Sequence, residues 1–258
     1  MGNVFNALLN FTFLSMIAKT LDIESFGKYA LLATLLVAVS KIIDFGTNSV
    51  YVADSISKDD NSLLDTFYTL KVILLTISIP ISIILLILLK LNSLNIVLYF
   101  ILGLIAYTIN YTLNSFFQKE QKFFHLILLN TFPALIKGIF AILIILNMVV
   151  FNLDKAFMVF SLSIYSSAVL WFVVPGEFKK FKIDFSKVKD FFKKSAPAGI
   201  SQLIFEGWPS ISNSIAKITN SFSHVGIFAI AEKVANILQL GAISIFTILL
   251  PKRLRKKT

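Results

Sequence analysis

Lysines, carboxylates and amides interrupt apolar runs at several points along this chain, and these interruptions are where chemistry is possible. Lys41, Asp44 and Asn48 fall at i, i+3 and i+7 within one run, so a helix stacks them on one face. Lys137 sits inside another run, with no acid close to it in sequence but with Asn130, Thr131 and Pro133 nearby. Gln202, Glu206, Asn213 and Lys217 recur at steps of four, seven and four, and Glu206 has no cation within one turn. The last run carries Glu232 beside Lys233, then Asn236 and Gln239. Two further stripes are uncharged: Asn3, Asn6 and Asn10, and Tyr107, Asn110, Tyr111 and Asn114.

A charged group at bilayer depth costs at least ~2.5–3.5 kcal/mol on insertion scales, so it persists where it faces water, a cavity or an opposite charge. Hydrogen bonds between membrane helices average only ~0.6 kcal/mol. That accounts for an isolated Asn, but less well for charge-bearing stripes on four helices, which a shared water-filled cavity explains together. Structural readings stand beside this one. Lys41 and Asp44 make a neutralising i,i+3 pair on an ideal helix, and Lys217, near a helix end, can snorkel to the interface. Glu206 needs a counter-charge from another helix. With Asp44 and Glu232 it forms the set of candidate ion-coupling carboxylates.

Composition places these stripes in a membrane. Hydrophobic residues make up 57% of the 258, only 15% are charged, and mean hydropathy is +0.82. A soluble domain carries about 25% charged residues. The pattern predicts an all-α integral membrane protein with eight spans, roughly 2–18, 28–52, 67–89, 94–117, 124–150, 156–175, 196–218 and 227–250. Val4 to Ala18 has no basic stretch before it and reads as a first anchor rather than a signal peptide. The net charge of +10 lies mainly in loops, so no nucleic acid partner is expected. With Lys58 and Lys71 counted in the first inner loop, sixteen basic residues fall on one side and four on the other. That bias predicts a cytoplasmic N-terminus and a cytoplasmic tail in the inner membrane. The stretch 177–195 is the long connection. Phe178, Phe181, Phe185, Val188 and Phe192 alternate there with lysines at helical spacing, which predicts a basic amphipathic segment lying on an anionic leaflet. It divides a six-helix lobe, 1–176, from a two-helix segment with a basic tail, 196–258.

Soluble-type catalytic chemistry finds little support. There is no cysteine, the two histidines His125 and His224 are far apart, and both arginines lie in the tail. No metal site or cofactor is expected. A membrane polymerase or acyltransferase would want His, Asp or Arg in a sizeable outer loop, and the outer loops are short.

Two stretches carry a family resemblance. Glu24, Phe26, Gly27 and Tyr29 open the second run, and Asp44-Phe45-Gly46 lies near its far end. Gly226, Phe228, Ala229, Lys233 and Pro251 punctuate the eighth. The sequence resembles the oligosaccharide-lipid (O-antigen type) flippases, the polysaccharide-biosynthesis transport proteins of the multidrug/oligosaccharidyl-lipid/polysaccharide exporter superfamily. The resemblance implies a transporter, not an enzyme, that carries polyprenyl-pyrophosphate-linked oligosaccharide to the outer face by rocking one lobe against the other. Its partners would be that cargo, membrane lipids and other polysaccharide-assembly membrane proteins. Lys41, Lys137 and Lys233 are then the candidates for the pyrophosphate. Asn110, Tyr111 and Asn114 offer neutral donors and acceptors to sugar hydroxyls. Family members have twelve or fourteen spans, so eight predicts a truncated transporter that lacks most of a C-terminal lobe. The alternative is a non-transporting interaction subunit.

Overall fold

The computed structural model describes residues 2–58, 63–180, 182–219, 221–232 and 235. These form helices joined by short turns, in the order α1 (Gly2–Thr20), α2 (Ile23–Asp44), α3 (Thr47–Lys58), α4 (Leu63–Leu88), α5 (Leu94–Lys119), α6 (Phe123–Ile145), α7 (Leu153–Leu162), a 3-10 continuation of α7 (Ser163–Val173), α8 (Val188–Thr219) and α9 (Phe222–Glu232). Five are long and apolar enough to cross a membrane: Ile23–Ile56, Leu63–Leu88, Leu94–Lys119, Phe123–Ile145 and Leu153–Val173. Helices are what a bilayer demands, because every backbone N–H and C=O must be satisfied within its own segment. The chain is a multi-pass helical membrane protein. α1 and α8 occupy the first and seventh expected positions, and most of the expected span 227–250 lies outside the described residues.

α2 is the central element. Asp22 caps it, its carboxylate accepting the N–H groups of Glu24 and Ser25 at 3.0 Å each. Its most extensive contact is with α8, and it also packs on α4, α5 and α7, while α1 lies along α6. Two apolar clusters fill the bundle. One gathers Phe26, Leu32, Leu36, Phe100 and Phe157, and the other gathers Tyr51, Phe67, Tyr68, Phe116, Phe117 and Phe178. Ile77, Ile84, Leu88, Ile139 and Ile142 are exposed on the outer surface, as suits residues that face acyl chains.

Three sequence expectations need correcting. The second run is one candidate span, Ile23–Ile56, but its helix is broken within it. α2 ends at Asp44, Phe45 takes a left-handed conformation (φ 35°), and its N–H closes on Lys41 O at 2.8 Å. Gly46 follows at φ 71°, so α3 restarts beyond a two-residue break, and Asn48 donates to Tyr111 O at 3.2 Å, on the residue that Lys41 and Lys71 also meet. The turn is a left-handed helix C-cap completed by glycine, and the continuous apolar pattern hides it. The break is also a docking surface. A β-carbon on Gly46 would lie 2.6 Å from Ser195 O, and one on Gly199 would lie 2.7 Å from Phe45 C and O. Both contacts are with backbone, so only glycine lets α8 approach this closely.

Lys71 is the second correction. It belongs to no loop. It is 1% exposed inside α4. The third concerns the connection after Val173. The expected helix over Glu177 to Lys194 begins only at Val188. Phe178 turns inward onto Tyr68 and Phe116, with ring centroids 5.6 and 4.6 Å away. Tyr68 Oη donates to Phe178 O at 2.7 Å, and the Lys182 N–H donates to Asp65 at 3.1 Å. The segment is a strap tied to the first turns of α4, because its aromatic and polar groups find partners there that a helix would turn away.

Candidate functional site

A cavity of about 440 Å³ lies between the α1–α7 bundle and the α8–α9 pair. α2 forms its floor through Phe26, Tyr29, Ala30, Ala33, Thr34 and Val37, positions that recur every three or four residues and so share one helix face. α1 contributes Asn10, α6 Lys137, α7 Phe160, α8 Glu206 and Asn213, and α9 Glu232. Four of the polar stripes read from the sequence therefore converge on one space. A smaller cavity of about 160 Å³ is lined by Asn10, Tyr107, Asn110, Asn130 and Lys137, so Lys137 and Asn10 belong to both.

Among the described residues, Lys137 is held by an amide and meets no carboxylate. Its Nζ donates to Asn10 Oδ1 at 3.1 Å and lies 4.7 Å from the centroid of the Phe160 ring. The amide fixes the ammonium without cancelling its charge, and the ring adds a cation–π contact. Lys137 is thus the charge best placed to meet an anion in the cavity.

Glu206 has the inter-helix counter-charge that its isolation in sequence demands. Its carboxylate meets Lys41 Nζ of α2 at 2.8 Å. Asp44 does not pair with Lys41 along the helix, as their spacing suggested. Its carboxylate takes Lys71 of α4 at 3.3 Å, and Lys71 Nζ also donates to Ile43 O at 3.3 Å. Because α2 ends at Asp44, its last carbonyls need partners from outside the helix ladder: Thr47 Oγ1 donates to Asp44 O, and the buried ammonium satisfies Ile43 O at the negative end of the helix dipole. Tyr111 lies between the two pairs. Its ring centroid is 5.0 Å from Lys41 Nζ and 5.6 Å from Lys71 Nζ, and its hydroxyl is bonded to Ser40 at 2.9 Å.

The remaining candidates separate. Asn110 lines the smaller cavity and donates to Ser167 at 3.1 Å. Asn114 is half-buried and accepts from Gln118 at 2.7 Å, and it lines neither cavity. Asp44 is buried away from the main cavity, and Lys41 reaches it through Glu206. Lys233 lies outside the described residues. Lys71 is the member that sequence reasoning missed. Its place within the expected span 67–89 was the available signal.

α2 meets the α8–α9 pair on both sides of the cavity. Towards the lysine-rich end of the bundle, below Lys41–Glu206, the Gly46 N–H donates to Gln202 at 3.3 Å and Phe45 stacks on Phe192 with centroids 5.1 Å apart. Asp54 pairs with Lys194 there. At the opposite end, Gly27 packs against the backbone of Phe222 and Gly226, and a β-carbon on Gly27 would lie 1.8 Å from Phe222 O. Lys28 and Lys217 flank the Phe222 ring at 5.2 and 4.3 Å.

No curated protein matches the sequence. Among solved structures, the chain resembles an inward-facing multidrug resistance transporter of the MATE family, within the MOP superfamily. The TM-score is 0.64 at 18% identity, over 92% of this chain and 59% of that one. The likeness is one of fold, and the chain spans about three fifths of that transporter's length. The model of the family described as polysaccharide biosynthesis protein matches residues 1–252, and on that match, across nearly its whole length, the chain belongs to the polysaccharide biosynthesis protein family.

Proposed function

We propose that the protein is a membrane transporter whose cargo is a polyprenyl-pyrophosphate-linked oligosaccharide, moved across the cytoplasmic membrane for surface polysaccharide assembly. The observation that carries this reading is the cavity between the two groups of helices, with Lys137 on one wall, unpaired with any carboxylate among the described residues, and Glu206 and Glu232 on the other. An oligosaccharide diphosphate carries both a compact anion and many hydroxyls. Lysine meets the first as a point charge, and carboxylates and amides accept from the second. The polyprenyl tail stays in the bilayer. The lysine-rich end faces the cytoplasm, following the charge bias of the loops.

In this reading each candidate has a task. Lys137 binds the pyrophosphate, with Asn10 orienting it. Lys41 and Glu206 join α2 to α8, so opening of the cytoplasmic end separates them. Lys41 is then free for the cargo phosphate, and Glu206 is free for the coupling ion. Glu232 is a second carboxylate on the same wall as Glu206, Asn110 lines the smaller cavity behind Lys137, and Tyr111 packs between the two ion pairs. Asp44 and Lys71 hold the α2–α3 break in shape.

The test is restoration of surface polysaccharide in cells lacking their own flippase. Lys137→Ala should lower the restored polysaccharide about tenfold or more, because a hydrogen bond to a charged group contributes ~1.5–3 kcal/mol and ~1.4 kcal/mol is a factor of ten. Lys137→Arg should keep most of it. Full restoration by Lys137→Ala would remove the pyrophosphate role.

A further inference from the structure

The strap between the 3-10 segment and α8 has two unlike edges. Its inner edge is tied down at three points. Phe178 is buried among Tyr51, Tyr68 and Phe116. The Lys182 N–H binds the Asp65 carboxylate. Asp184 makes two bonds with α4, its N–H donating to Thr69 Oγ1 at 2.9 Å and its carboxylate accepting from Thr66 Oγ1 at 3.1 Å. The Ser186 hydroxyl and N–H also bind that carboxylate, and these bonds, with Thr66, hold its pKa below the ordinary carboxylate range. The bonds at Asp184 therefore favour its ionised, accepting form.

The outer edge follows from the tie. With Asp184 turned onto α4, its two neighbours cannot reach that surface. Ile183 is 65% exposed and Phe185 67% exposed. Two large apolar side chains are thus held out on a fixed backbone rather than on a loose loop. Around them Lys179, Lys180, Lys182, Lys187 and Lys189 are all exposed. Asp65, Thr66 and Thr69 belong to the first two turns of the spanning helix α4, so the strap sits at the level where that helix enters the membrane.

We infer that the strap edge formed by Ile183 and Phe185 inserts among anionic phospholipid headgroups, with the surrounding lysines paired to their phosphates. Juxtamembrane clusters of four to eight basic residues recognise anionic leaflets, and apolar side chains beside them settle at the headgroup–acyl boundary. The cavity of about 550 Å³ behind the strap is a poorer anion site. Its lining sets Lys119, Lys180 and Lys182 against Asp65, Glu120 and Glu177, three charges of each sign. Lys179, Lys187 and Lys189 lie outside that lining, so the excess of positive charge lies on the outer edge, which is why the lipid surface is the occupant. The contact differs from an amphipathic helix because two fixed side chains make it. Since the strap runs directly into α8, the contact also fixes where α8 begins.

The chain has no cysteine, so single cysteines carrying a nitroxide label can be placed at Ile183, Phe185 and Lys189 of the full-length protein. Collision with oxygen reports lipid exposure, and collision with a water-soluble nickel chelate reports aqueous exposure. Labels at Ile183 and Phe185 should collide severalfold more with oxygen than with the chelate in liposomes of phosphatidylcholine with phosphatidylglycerol. The ratio should fall in phosphatidylcholine alone, while the Lys189 label stays accessible to the chelate in both. Lys179→Gln, Lys180→Gln and Lys182→Gln together should abolish the dependence on phosphatidylglycerol. Equal chelate access at Ile183 and Phe185 in both liposomes would place the edge in the cytosol and overturn the inference. Protection from both reagents in both liposomes would mean that protein covers it, and would overturn it as well. Neither result bears on transport.

Discussion

Replacing Lys71 with methionine is expected to destabilise the protein by about 3–5 kcal/mol, the usual consequence of leaving one partner of a buried ion pair uncompensated. Lys71 is 1% exposed and Asp44 4% exposed. Nζ lies 3.3 Å from the carboxylate and from Ile43 O, and 5.3 and 5.6 Å from the Phe67 and Tyr111 ring centroids. Methionine fills similar volume, so packing is nearly conserved and the loss is electrostatic. It falls at the point where α2 terminates and turns into α3, and that turn seats α8 through Gly46 and Gly199. Removing both charges, with Lys71→Met and Asp44→Leu, should recover most of the stability, since buried pairs replaced as a unit by apolar residues are often neutral. Denaturant unfolding of the detergent-solubilised protein, both single variants and the double variant measures this. A double variant as unstable as the two losses added together would show that the charges are not coupled.

The second large effect concerns Lys41 and Glu206. This pair, at 2.8 Å, joins α2 to α8, and its side chains keep some solvent exposure, 13% and 39%. It differs in kind from the sealed Lys71–Asp44 pair. A partly wet ion pair contributes little net stability, so Lys41→Ala and Glu206→Gln should fold almost normally. Their effect should fall on transport, about tenfold or more for either. The reversed pair, Lys41→Glu with Glu206→Lys, separates two roles. It restores an ion pair between the helices, so the spacing of spin labels on α2 and α8 should match that of the unaltered protein. It also moves the cation and the carboxylate to each other's helices, so transport should stay low. Full transport by the reversed pair would reduce these residues to a latch with no part in handling cargo or ion.

How much of this was legible in the sequence depends on the range of the interaction. Helix identity is written in local apolar content, and among the described residues helices cover the first seven of the eight predicted runs. Lys137, Glu206, Glu232 and Asn213 face one cavity because a charge that cannot face lipid must face inward, and the stripes record that. Partner choice is not local. Asp44 takes Lys71, 27 residues away, instead of Lys41, three residues away, because α2 stops at Asp44 and α4 brings an ammonium to its last carbonyls. The stop itself is carried by one left-handed Phe and one Gly, which the apolar pattern does not register. The strap misled for a related reason. The periodic spacing of Phe178, Phe185 and Phe192 is real, but Phe178 finds an aromatic pocket on α3, α4 and α5, and that contact outweighs local helix formation over residues 177–187.

If the cavity carries a lipid-linked oligosaccharide from one leaflet to the other, the movement can be followed directly. The most direct measurement places the full-length protein in liposomes with a fluorescent polyprenyl-pyrophosphate oligosaccharide and follows the loss of inner-leaflet signal to a membrane-impermeant quencher outside. The unaltered protein should expose the inner-leaflet probe well above the rate of protein-free liposomes, and Lys137→Ala should remove most of the difference. Movement no faster than in protein-free liposomes, or movement unchanged by Lys137→Ala, would contradict it.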